Sequence, residues 1–424
     1  MNPNFPITPG SLSALNSMDL IKSKMDGHEL KLIGLEKLLS EIVSGELTPE
    51  HTACFLTTCR LMGLSTHEVG ALTRAMVNIG DCLNWDSLGA EKIMDKPIMD
   101  KHCVGGVPGN RTTPIVVSIV AANGLIIPKT SSRAITSPSG TADTMEVLTR
   151  VDLNMAEMRR VVELEGGCIV WGGAMTISPA DRFLIQVEKK LGLGILGQMV
   201  ASILSKKIGA GASHILIDIP VGPAIKINSE LKAHKLSRLL KSVGDLIGLQ
   251  LLILESDGTR PIGRGIGPAL EARDVLSVLN NKNPPEDLKN KALDLAGKLL
   301  ELGGVSQKGQ GLDLAKKTLE TGLAWKKFEK ICEAQGGLNL PKSALYTHTV
   351  FSDQSKKIQN IDCSFFSQLA KLAGAPNDKE AGVDLHISIG DWVQKEQPLF
   401  TLHANSKEFL EIAKQYSQNF LKIF

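Results

Sequence analysis

The chain has 424 residues, with 47 Lys and Arg against 45 Asp and Glu, which gives a formal net charge of +2. This balance argues against a protein that coats nucleic acid, since such a protein needs an excess of basic side chains to release phosphate counterions. Hydrophobic residues make up 43% of the chain, enough for large buried cores, and the length is typical of a protein with more than one domain.

Glycine is abundant and aromatic residues are scarce, with 40 Gly against 11 Phe, 4 Trp and 2 Tyr. The scarcity disfavours a platform that stacks single-stranded bases, whereas glycines let a backbone approach a ligand closely. The 7 Cys show no CxxC pair, so neither a disulfide framework nor a zinc module is predicted. Because neither a signal peptide nor a membrane-spanning stretch is recognised, we expect a soluble cytoplasmic protein.

The first part of the chain predicts a small helical lobe. Leucine and isoleucine recur at helical spacing through residues 30–42, and Thr48-Pro49 is typical of a helix start. Helical patterns return later in the chain. We therefore expect this lobe to comprise residues 1–82, joined by residues 154–190.

Strand, loop and helix alternate after residue 96, which predicts a parallel sheet with ligand-binding loops at the carboxyl ends of its strands. The strand candidates are residues 97–102, 125–129, 214–220 and 251–255. The predicted fold class is α/β: a small all-helical lobe, a large α/β lobe with a mainly parallel sheet, and a small β-rich C-terminal unit. The large α/β lobe is assigned to residues 83–153 and 191–345. The C-terminal unit is assigned to residues 346–424, as an α+β domain.

The sequence DKHCVGG at residues 100–106 places a lysine near the end of the first predicted strand and a glycine pair shortly after that strand. We call residues 104–109 the glycine loop. Main-chain N–H groups at such a pair can point towards an anion, the next helix offers the positive end of its dipole, and Lys101 adds a full charge. A tight turn without a ligand is the alternative interpretation.

A second loop, at residues 130–141, is rich in serine and threonine (TSSRAITSPSGT) and is called the hydroxyl loop below. If it faces the glycine loop, it supplies several neutral donors to one phosphate, although such a cluster is often only a solvated loop. Because both loops follow strands of the predicted sheet, phosphate binding is favoured. Neither loop has P-loop or GxGxxG spacing, which argues against nucleoside triphosphates and NAD.

Two segments resemble one family nearly letter for letter: residues 107–114 (VPGNRTTP) and 130–138 (TSSRAITSP). The resemblance extends to residues 201–207 (ASILSKK), 219–223 (IPVGP) and 261–265 (PIGRG). Together they are similar to the thymidine/pyrimidine nucleoside phosphorylase family, in the branch with archaeal AMP phosphorylases and bacterial type 2 thymidine phosphorylases. The resemblance covers almost the whole chain.

This resemblance implies a homodimeric pentosyltransferase that needs no cofactor. It cleaves a (deoxy)nucleoside reversibly with inorganic phosphate to a free base and a pentose 1-phosphate, with thymidine the best single substrate. Phosphate attacks C1′ as the base leaves, so positioning and electrostatics supply most of the catalysis. The implied residues are Lys101 and His102 for catalysis, His102 by protonating the leaving base; Gly106, Thr113, Ser131, Ser132, Arg133, Ser137 and Thr141 for phosphate and sugar; and Ser202, Lys206 and Lys226 for the base or nucleotide.

Two positions depart from the family pattern. Val187 stands where thymidine phosphorylases of the other branch place an arginine on the base, and Gly194 where AMP phosphorylases have an aspartate proposed as proton donor. The general acid is therefore unassigned. Lys226 matches a lysine that AMP phosphorylases use near the nucleotide, and a solvated lysine is an equal alternative.

Other functions stay open at this level. An AMP or nucleoside 5′-monophosphate phosphorylase is one, a catalytically degenerate nucleotide-binding protein a second, and an anthranilate-type phosphoribosyltransferase, which handles a magnesium diphosphate, a third. Glu255 and Asp257 have neither a histidine nor a third acid beside them in the sequence, so no metal site is predicted. The expected partners are a small nucleoside or nucleotide and phosphate, without nucleic acid or membrane.

Overall fold

The computed structural model describes residues 16–85, 96–109, 111–135 and 137–423. The chain divides into two compact units. The first contains the described residues up to Trp85 together with Thr176–Ser213 and Lys235–Leu251, and the second contains the remainder.

Sixteen α-helices and eleven strands occur in the described residues. The helices are α1 (Ser17–Met25), α2 (Leu32–Ser44), α3 (Pro49–Met62), α4 (Thr66–Asn78), α5 (Thr112–Ala122), α6 (Thr141–Leu148), α7 (Met155–Glu165), α8 (Pro179–Leu191), α9 (Leu196–Gly209), α10 (Glu230–Ile247), α11 (Pro268–Leu279), α12 (Glu286–Leu302), α13 (Gly311–Glu320), α14 (Leu323–Gln335), α15 (Cys363–Leu372) and α16 (Lys407–Ile423). The strands are β1 (Met99–Cys103), β2 (Ile127–Ser131), β3 (Gly167–Trp171), β4 (His214–Val221), β5 (Gln250–Asp257), β6 (Gly265–Ile266), β7 (Tyr346–Phe351), β8 (Lys356–Lys357), β9 (Gly382–Leu385), β10 (Trp392–Val393) and β11 (Pro398–Ala404).

Local sequence signals account for the helix ends of the first unit. Thr48 caps α3 with its side-chain oxygen, and Pro49 is the first helical residue. α2 ends at Gly45, whose φ of 84° suits a residue without a side chain. α4 begins with a capping box in which Ser65 and Glu68 each accept a hydrogen bond from the other's backbone N–H. The helix start predicted at Thr48-Pro49 is confirmed.

One buried ion pair ties the first unit together. The Lys24 ammonium on α1 lies 2.7 Å from both carboxylate oxygens of Glu68, and that carboxylate also accepts from the Leu30 N–H at 2.9 Å. Both side chains are almost fully buried. Because breaking such a pair leaves an uncompensated buried charge, the pair fixes how α1 meets α4.

The later helices divide differently from the prediction. α8 packs on α2 and α3, and α9 packs along α4, so residues 176–213 belong to the helical unit. α7 instead packs on α14 and β3 of the second unit, with Met158, Val161 and Val162 buried. The expected return of 154–190 to the helical lobe is therefore wrong for α7, because its apolar face is covered by the α/β layer.

The second unit contains the predicted parallel sheet. β1 pairs in parallel with β4, β5 adjoins β4, and β2 pairs in parallel with β3. A parallel bridge between Ile98 and Ile126, with a 2.7 Å hydrogen bond from the Met99 N–H to Ile126 O, joins the two groups. The strand order is thus β3-β2-β1-β4-β5, and the loops after β1 and β2 leave neighbouring strands at the same edge.

The core of this unit forms around α5, from Thr112 to Ala121 buried on every side. An evenly apolar helix is expected where a helix is covered all round. α12 and α14 pack on it, and Ile115, Val117 and Ile119 are fully buried in this core. The glycine loop is therefore followed by an enclosed helix.

The C-terminal part has its own core and is β-rich, as predicted. Its antiparallel sheet has the order β6-β9-β11-β7, and α15 and α16 pack on it. Phe365, Phe366, Phe400 and Phe420 form an aromatic cluster there, with ring centroids 5.3 to 5.6 Å apart. In the part of the chain that the structure describes, none of the helices combines the length and apolarity that crossing a bilayer requires.

Candidate functional site

Lys101 is one of the residues predicted to bind phosphate, which together with Thr113, Ser131 and Thr141 we call the phosphate-side group. It is fully buried on β1, and its Nζ donates to Thr112 Oγ1 at 2.7 Å and to Thr113 Oγ1 and Gly109 O at 3.4 Å each. Thr112 and Thr113 are the first two residues of α5. The ammonium thus lies at the positive end of a helix dipole, where a negative group is favoured.

Burial decides the electrostatics of Lys101. Desolvation lowers its pKa, the nearby Lys291 cation acts in the same direction, and Cys103 and Asp218 oppose them. A buried ammonium whose pKa is lowered lacks the stabilisation that water or a close counter-charge would provide. An anion bound beside it would supply that stabilisation, so the group favours an anionic ligand.

Lys291 on α12 contacts the glycine loop. Its Nζ donates to Pro108 O at 3.1 Å and to Ser256 Oγ at 3.0 Å, and lies 3.2 Å from Asp218 Oδ2. Ser256 in turn donates to Asp218 Oδ1 at 2.5 Å. A Cβ on Gly109 would meet Cys103 Sγ at 2.5 Å, so the loop packs tightly on this network. Lys291 was not predicted from the sequence, because it lies 183 residues from its partner Pro108.

The hydroxyl loop leads into a second helix start. Thr141 is the first residue of α6 and Gly140 is its N-cap. The Asp143 carboxylate accepts from the N–H groups of Gly140 at 2.9 Å and Ala134 at 2.6 Å. A Cβ on Gly140 would lie 2.6 Å from Ser132 O, so a glycine is required for the loop to fold back on itself. The predicted phosphate residues Thr113 and Thr141 therefore both lie in the first turn of a helix.

Ser131 and Ser137 occupy different environments. Ser131 Oγ is buried at the end of β2 and has no hydrogen-bond partner among the described residues. Since a buried hydroxyl without a partner costs free energy, a ligand oxygen there is favoured. Ser137 Oγ donates to Ser139 O at 2.7 Å, and Ser132 is exposed.

The two loops approach each other at Gly106. This residue has a φ of 70°, and a Cβ added to it would lie 3.7 Å from the Cβ of Ser137. Next to it, a Cβ on Gly105 would lie 2.5 Å from Pro220 at the end of β4. A glycine is thus needed at 106 for the backbone conformation and at 105 for the close approach to Pro220.

Arg133 is held by carboxylates of the same unit. Its guanidinium makes two hydrogen bonds of 2.6 Å to Glu146 and lies 4.6 Å from the centre of the Trp171 ring. Lys379 also contacts Glu146, at 2.6 Å. Arg133 is the first cause, ahead of Lys379, that lowers the pKa of Glu146 to about 2. The positive charge of Arg133 is therefore already compensated, and its predicted contact with phosphate or sugar stays a prediction.

Arg111 anchors the other end of the glycine loop and was not singled out from the sequence. It is fully buried, lies 3.2 Å from Glu271 and 3.7 Å from Asp274, and donates to Gly265 O. Glu271 also accepts from Thr144 on α6 at 3.1 Å. One carboxylate thus links the helices that follow the two loops.

Ser202 and Lys206, which are predicted to contact the base and which we call the base-side group, lie in the first unit. Lys206 Nζ on α9 donates to Ser202 Oγ at 3.1 Å, as their four-residue spacing predicts for one helix face, and to Asp181 Oδ2 at 2.8 Å. Asp181, on the first turn of α8, was missed by sequence analysis. The aspartate lies 25 residues before Lys206, on another helix, so no short sequence motif connects them.

Four further positions singled out from the sequence are His102, Lys226, Val187 and Gly194. His102 is half-buried on β1, and Lys226 is exposed in the loop after β4. Val187 lies on α8, and Gly194 lies between α8 and α9, where a Cβ would meet nothing within 4 Å. The backbone therefore does not require a glycine at the position where AMP phosphorylases have the aspartate.

Two cavities, of about 290 and 300 Å³, lie elsewhere in the second unit. They adjoin α11 and the C-terminal sheet, share Arg273, Ser277 and Lys282, and are lined by no residue of the glycine loop. Across the described residues, no three or more His, Cys, Asp or Glu side chains are grouped in a way that could hold a metal ion.

Family models match three consecutive parts of the chain. Residues 18–80 match the helical bundle domain of a glycosyl transferase family, residues 95–325 match its a/b domain, and residues 357–423 match the pyrimidine nucleoside phosphorylase C-terminal domain. The chain belongs to this glycosyl transferase family, in the group that carries the pyrimidine nucleoside phosphorylase C-terminal domain. The family resemblance seen in the sequence is confirmed.

Curated proteins with similar sequences have names that begin with "Putative thymidine phosphorylase". The chain is 48% identical over 405 residues to "Putative thymidine phosphorylase" of Chelativorans sp. (strain BNC1), covering 95% of this chain and 78% of that protein. It is 50% identical over 403 residues to "Putative thymidine phosphorylase 1" of Acidovorax sp. (strain JS42), covering 95% and 77%. Among solved structures, anthranilate phosphoribosyltransferase from Thermus thermophilus matches with a TM-score of 0.61 at 20% identity, over 75% of this chain and 99% of that one, which supports the fold.

Proposed function

We propose that the protein is a pentosyltransferase that cleaves a pyrimidine nucleoside reversibly with inorganic phosphate. Thymidine is the first substrate, giving thymine and 2-deoxyribose 1-phosphate. The family assignment and the names of the relatives support the reaction class.

One observation carries the proposal. A fully buried ammonium, that of Lys101, lies at the start of α5 beside a glycine loop, and a second loop rich in hydroxyl groups meets that loop at Gly106. Such an arrangement suits an oxyanion that must be held in line with a sugar carbon. In this proposal, Lys101, Thr113, Ser131 and Thr141 bind the phosphate.

The remaining roles follow from the family resemblance. Gly106 packs against the substrate, and Ser132, Arg133 and Ser137 complete the phosphate and sugar side. Ser202 and Lys206 bind the base, with Lys226 near a nucleotide if one is bound. His102 protonates the leaving base, since an imidazole titrates near neutral pH.

The test is a substrate panel. The purified protein is incubated with phosphate and separately with thymidine, uridine, AMP and CMP, and the pentose 1-phosphate and free base formed are measured. We expect thymidine to be cleaved fastest. If AMP is cleaved faster than thymidine, the protein is a nucleotide phosphorylase, and if no substrate is cleaved at high enzyme concentration, the enzymatic proposal fails.

A matched assay separates phosphorolysis from the chemistry of an anthranilate-type transferase. That chemistry handles a magnesium diphosphate, so EDTA would abolish it. We expect phosphorolysis to continue in EDTA, because the proposed reaction requires no metal or other cofactor. We further propose that the enzyme acts in the cytoplasm and that it is a homodimer. Gel filtration with light scattering tests the homodimer.

A further inference from the structure

We propose that Asp181 is the positioning residue of the base-binding group, and that it acts by fixing the Lys206 ammonium beside Ser202. This inference rests on the proposed function and adds a residue that the sequence motifs do not contain. It also explains how a flexible lysine is held ready for a base.

The contacts point to a single chain of polar groups. Asp181 Oδ2 lies 2.8 Å from Lys206 Nζ, which lies 3.1 Å from Ser202 Oγ. The Asp181 side chain is 9% exposed, whereas that of Lys206 is 37% exposed. The carboxylate is therefore more buried than the lysine, and the lysine side chain keeps an accessible part that a ligand can contact.

An ordinary surface pair in the same unit shows the difference. Lys241 and Asp245 lie 2.6 Å apart on α10, with side chains 57% and 56% exposed. Water solvates both ions of such a pair, so it contributes little free energy. The Asp181 carboxylate has lost most of its water and depends on Lys206, because a buried charge without a partner is strongly unfavourable.

The backbone before Asp181 is held in an uncommon conformation. Ser178, the residue before α8, has a φ of 55° although it is not a glycine, and it is almost fully buried. Its Oγ lies 3.1 Å from Ser205 Oγ on α9. A Cβ on Gly80 would lie 2.7 Å from Ser178 N, so the chain also packs closely on this turn. Such conformations persist where the surroundings over-determine them, and they occur often at functional sites.

This turn sets the position of the carboxylate. The Asp181 N–H donates to Ser178 O at 3.2 Å, and Pro179 begins the helix. The start of α8 is thus fixed on α9 by one serine pair and by the Asp181–Lys206 pair. A lysine held in this way has lost its side-chain freedom before the ligand binds, which lowers the entropic cost of binding.

The experiment compares Asp181→Asn with Asp245→Asn, a matched control that removes the exposed carboxylate from the same unit. Steady-state kinetics with thymidine and phosphate are measured for both variants and the wild type. For Asp181→Asn we expect the KM for thymidine to rise about 10-fold or more, with the KM for phosphate within about twofold. Asp245→Asn should match the wild type in both.

A double-mutant cycle separates positioning from general stability. If Asp181 acts through Lys206, adding Asp181→Asn to Lys206→Met should change the thymidine KM much less than Asp181→Asn does alone. Additive effects, or an equal rise in both KM values, would overturn the positioning role. If Asp181→Asn does not fold, Asp181→Glu in the same cycle replaces it, since it keeps the charge and moves it by one methylene group.

The two proposals fail in different ways. A wild type that cleaves thymidine, with an Asp181→Asn variant of unchanged thymidine KM, leaves the proposed function standing and refutes the role of Asp181. A wild type that cleaves no substrate of the panel refutes the proposed function, and the role of Asp181 at a base site falls with it.

Discussion

The phosphate-side group of the second unit and the base-side group of the first hold their lysines in opposite ways. Lys101 is fully buried and contacts two threonine hydroxyls and a carbonyl oxygen, all neutral. Lys206 is partly exposed and lies 2.8 Å from the Asp181 carboxylate. Lys101 therefore has hydrogen bonds but no directly bonded counter-charge, whereas Lys206 is paired with a carboxylate.

This difference matches the charge of the ligand proposed for each group. An anion completes the surroundings of Lys101, whose pKa burial lowers. A neutral base does not change the charge near Lys206, so Asp181 can provide the compensation permanently. In the proposed function, the surroundings of each lysine therefore match the charge of its ligand: an anion for Lys101, which has no bonded carboxylate, and a neutral base for Lys206, which is paired with Asp181.

The largest expected effect comes from removing the charge on the phosphate side. Lys101→Met should lower kcat/KM by about 10²- to 10³-fold or more, because an electrostatic contact to the transferred group is lost in a site with little water. The KM for phosphate should rise, while the KM for thymidine should change little. Steady-state kinetics with both substrates check this. For Lys206→Met we expect the reverse, a raised KM for thymidine and a nearly unchanged KM for phosphate. Equal effects of both variants on both substrates would contradict the comparison.

Removing the buried arginine should have the largest effect on stability. Arg111→Met leaves Glu271 and Asp274 without their partner, and breaking such a buried pair costs about 3–5 kcal/mol. The free energy of unfolding from urea titration measures this. Arg150→Met, which removes a half-exposed arginine on Glu157, is the control and should cost much less. A similar cost for both variants would show that burial does not govern these ion pairs.

A moderate effect is expected from pH. The pKa of Lys101 lies below its ordinary 10.5, because burial disfavours the ammonium. As the pH rises through that lowered pKa, the unliganded enzyme loses the charge, so the KM for phosphate should rise at a pH below 10.5. Lys101→Arg, where it retains activity, should move this rise to higher pH, since a guanidinium keeps its proton. A phosphate KM independent of alkaline pH would refute the prediction.

The smallest expected effect comes from removing the charge of Glu146, the carboxylate that pairs with Arg133. The folded-state pKa of Glu146, about 2, lies below the ordinary 4.5, so its stabilisation is fully present above pH 4.5 and is lost as the pH falls towards 2. Glu146→Gln should lower the free energy of unfolding at pH 7 by at most about 1 kcal/mol, because solvent screens this half-exposed pair. Melting curves of the variant and wild type should converge between pH 4 and 2, and a difference that persists at pH 2 would contradict this origin.

Much of the fold follows from local signals. The strand predicted at residues 214–220 is observed at His214–Val221, because a long apolar run bounded by glycine and proline is a strong signal. β3 was missed, since its apolar residues Cys168–Trp171 are too few to separate a strand from a buried helix. The assignment of α7 failed for a related reason: an apolar face indicates that a helix packs, without indicating on what.

The site was predictable to the extent that its members are close in sequence. Lys101, Thr113 and the glycine loop lie within a short segment, and Ser202 and Lys206 are one helical turn apart, so their types and spacing are visible. Asp181, Lys291 and Arg111 carry contacts that join distant segments. Their sequence surroundings contain no signal for the partner they meet.

The sequence by itself determined the helix caps, the apolar runs of the sheet, and the glycines that the two phosphate-side loops require. The tertiary structure alone decided that Lys101 is buried without a bonded carboxylate, that Lys206 meets Asp181, and that the Arg133 charge is taken up by Glu146. The physical reason is that capping and periodicity act within a few residues, whereas the free energy of a charge depends on burial and on neighbours brought together by packing. For that reason the chemistry of each lysine is set by the fold, although its identity is set by the sequence.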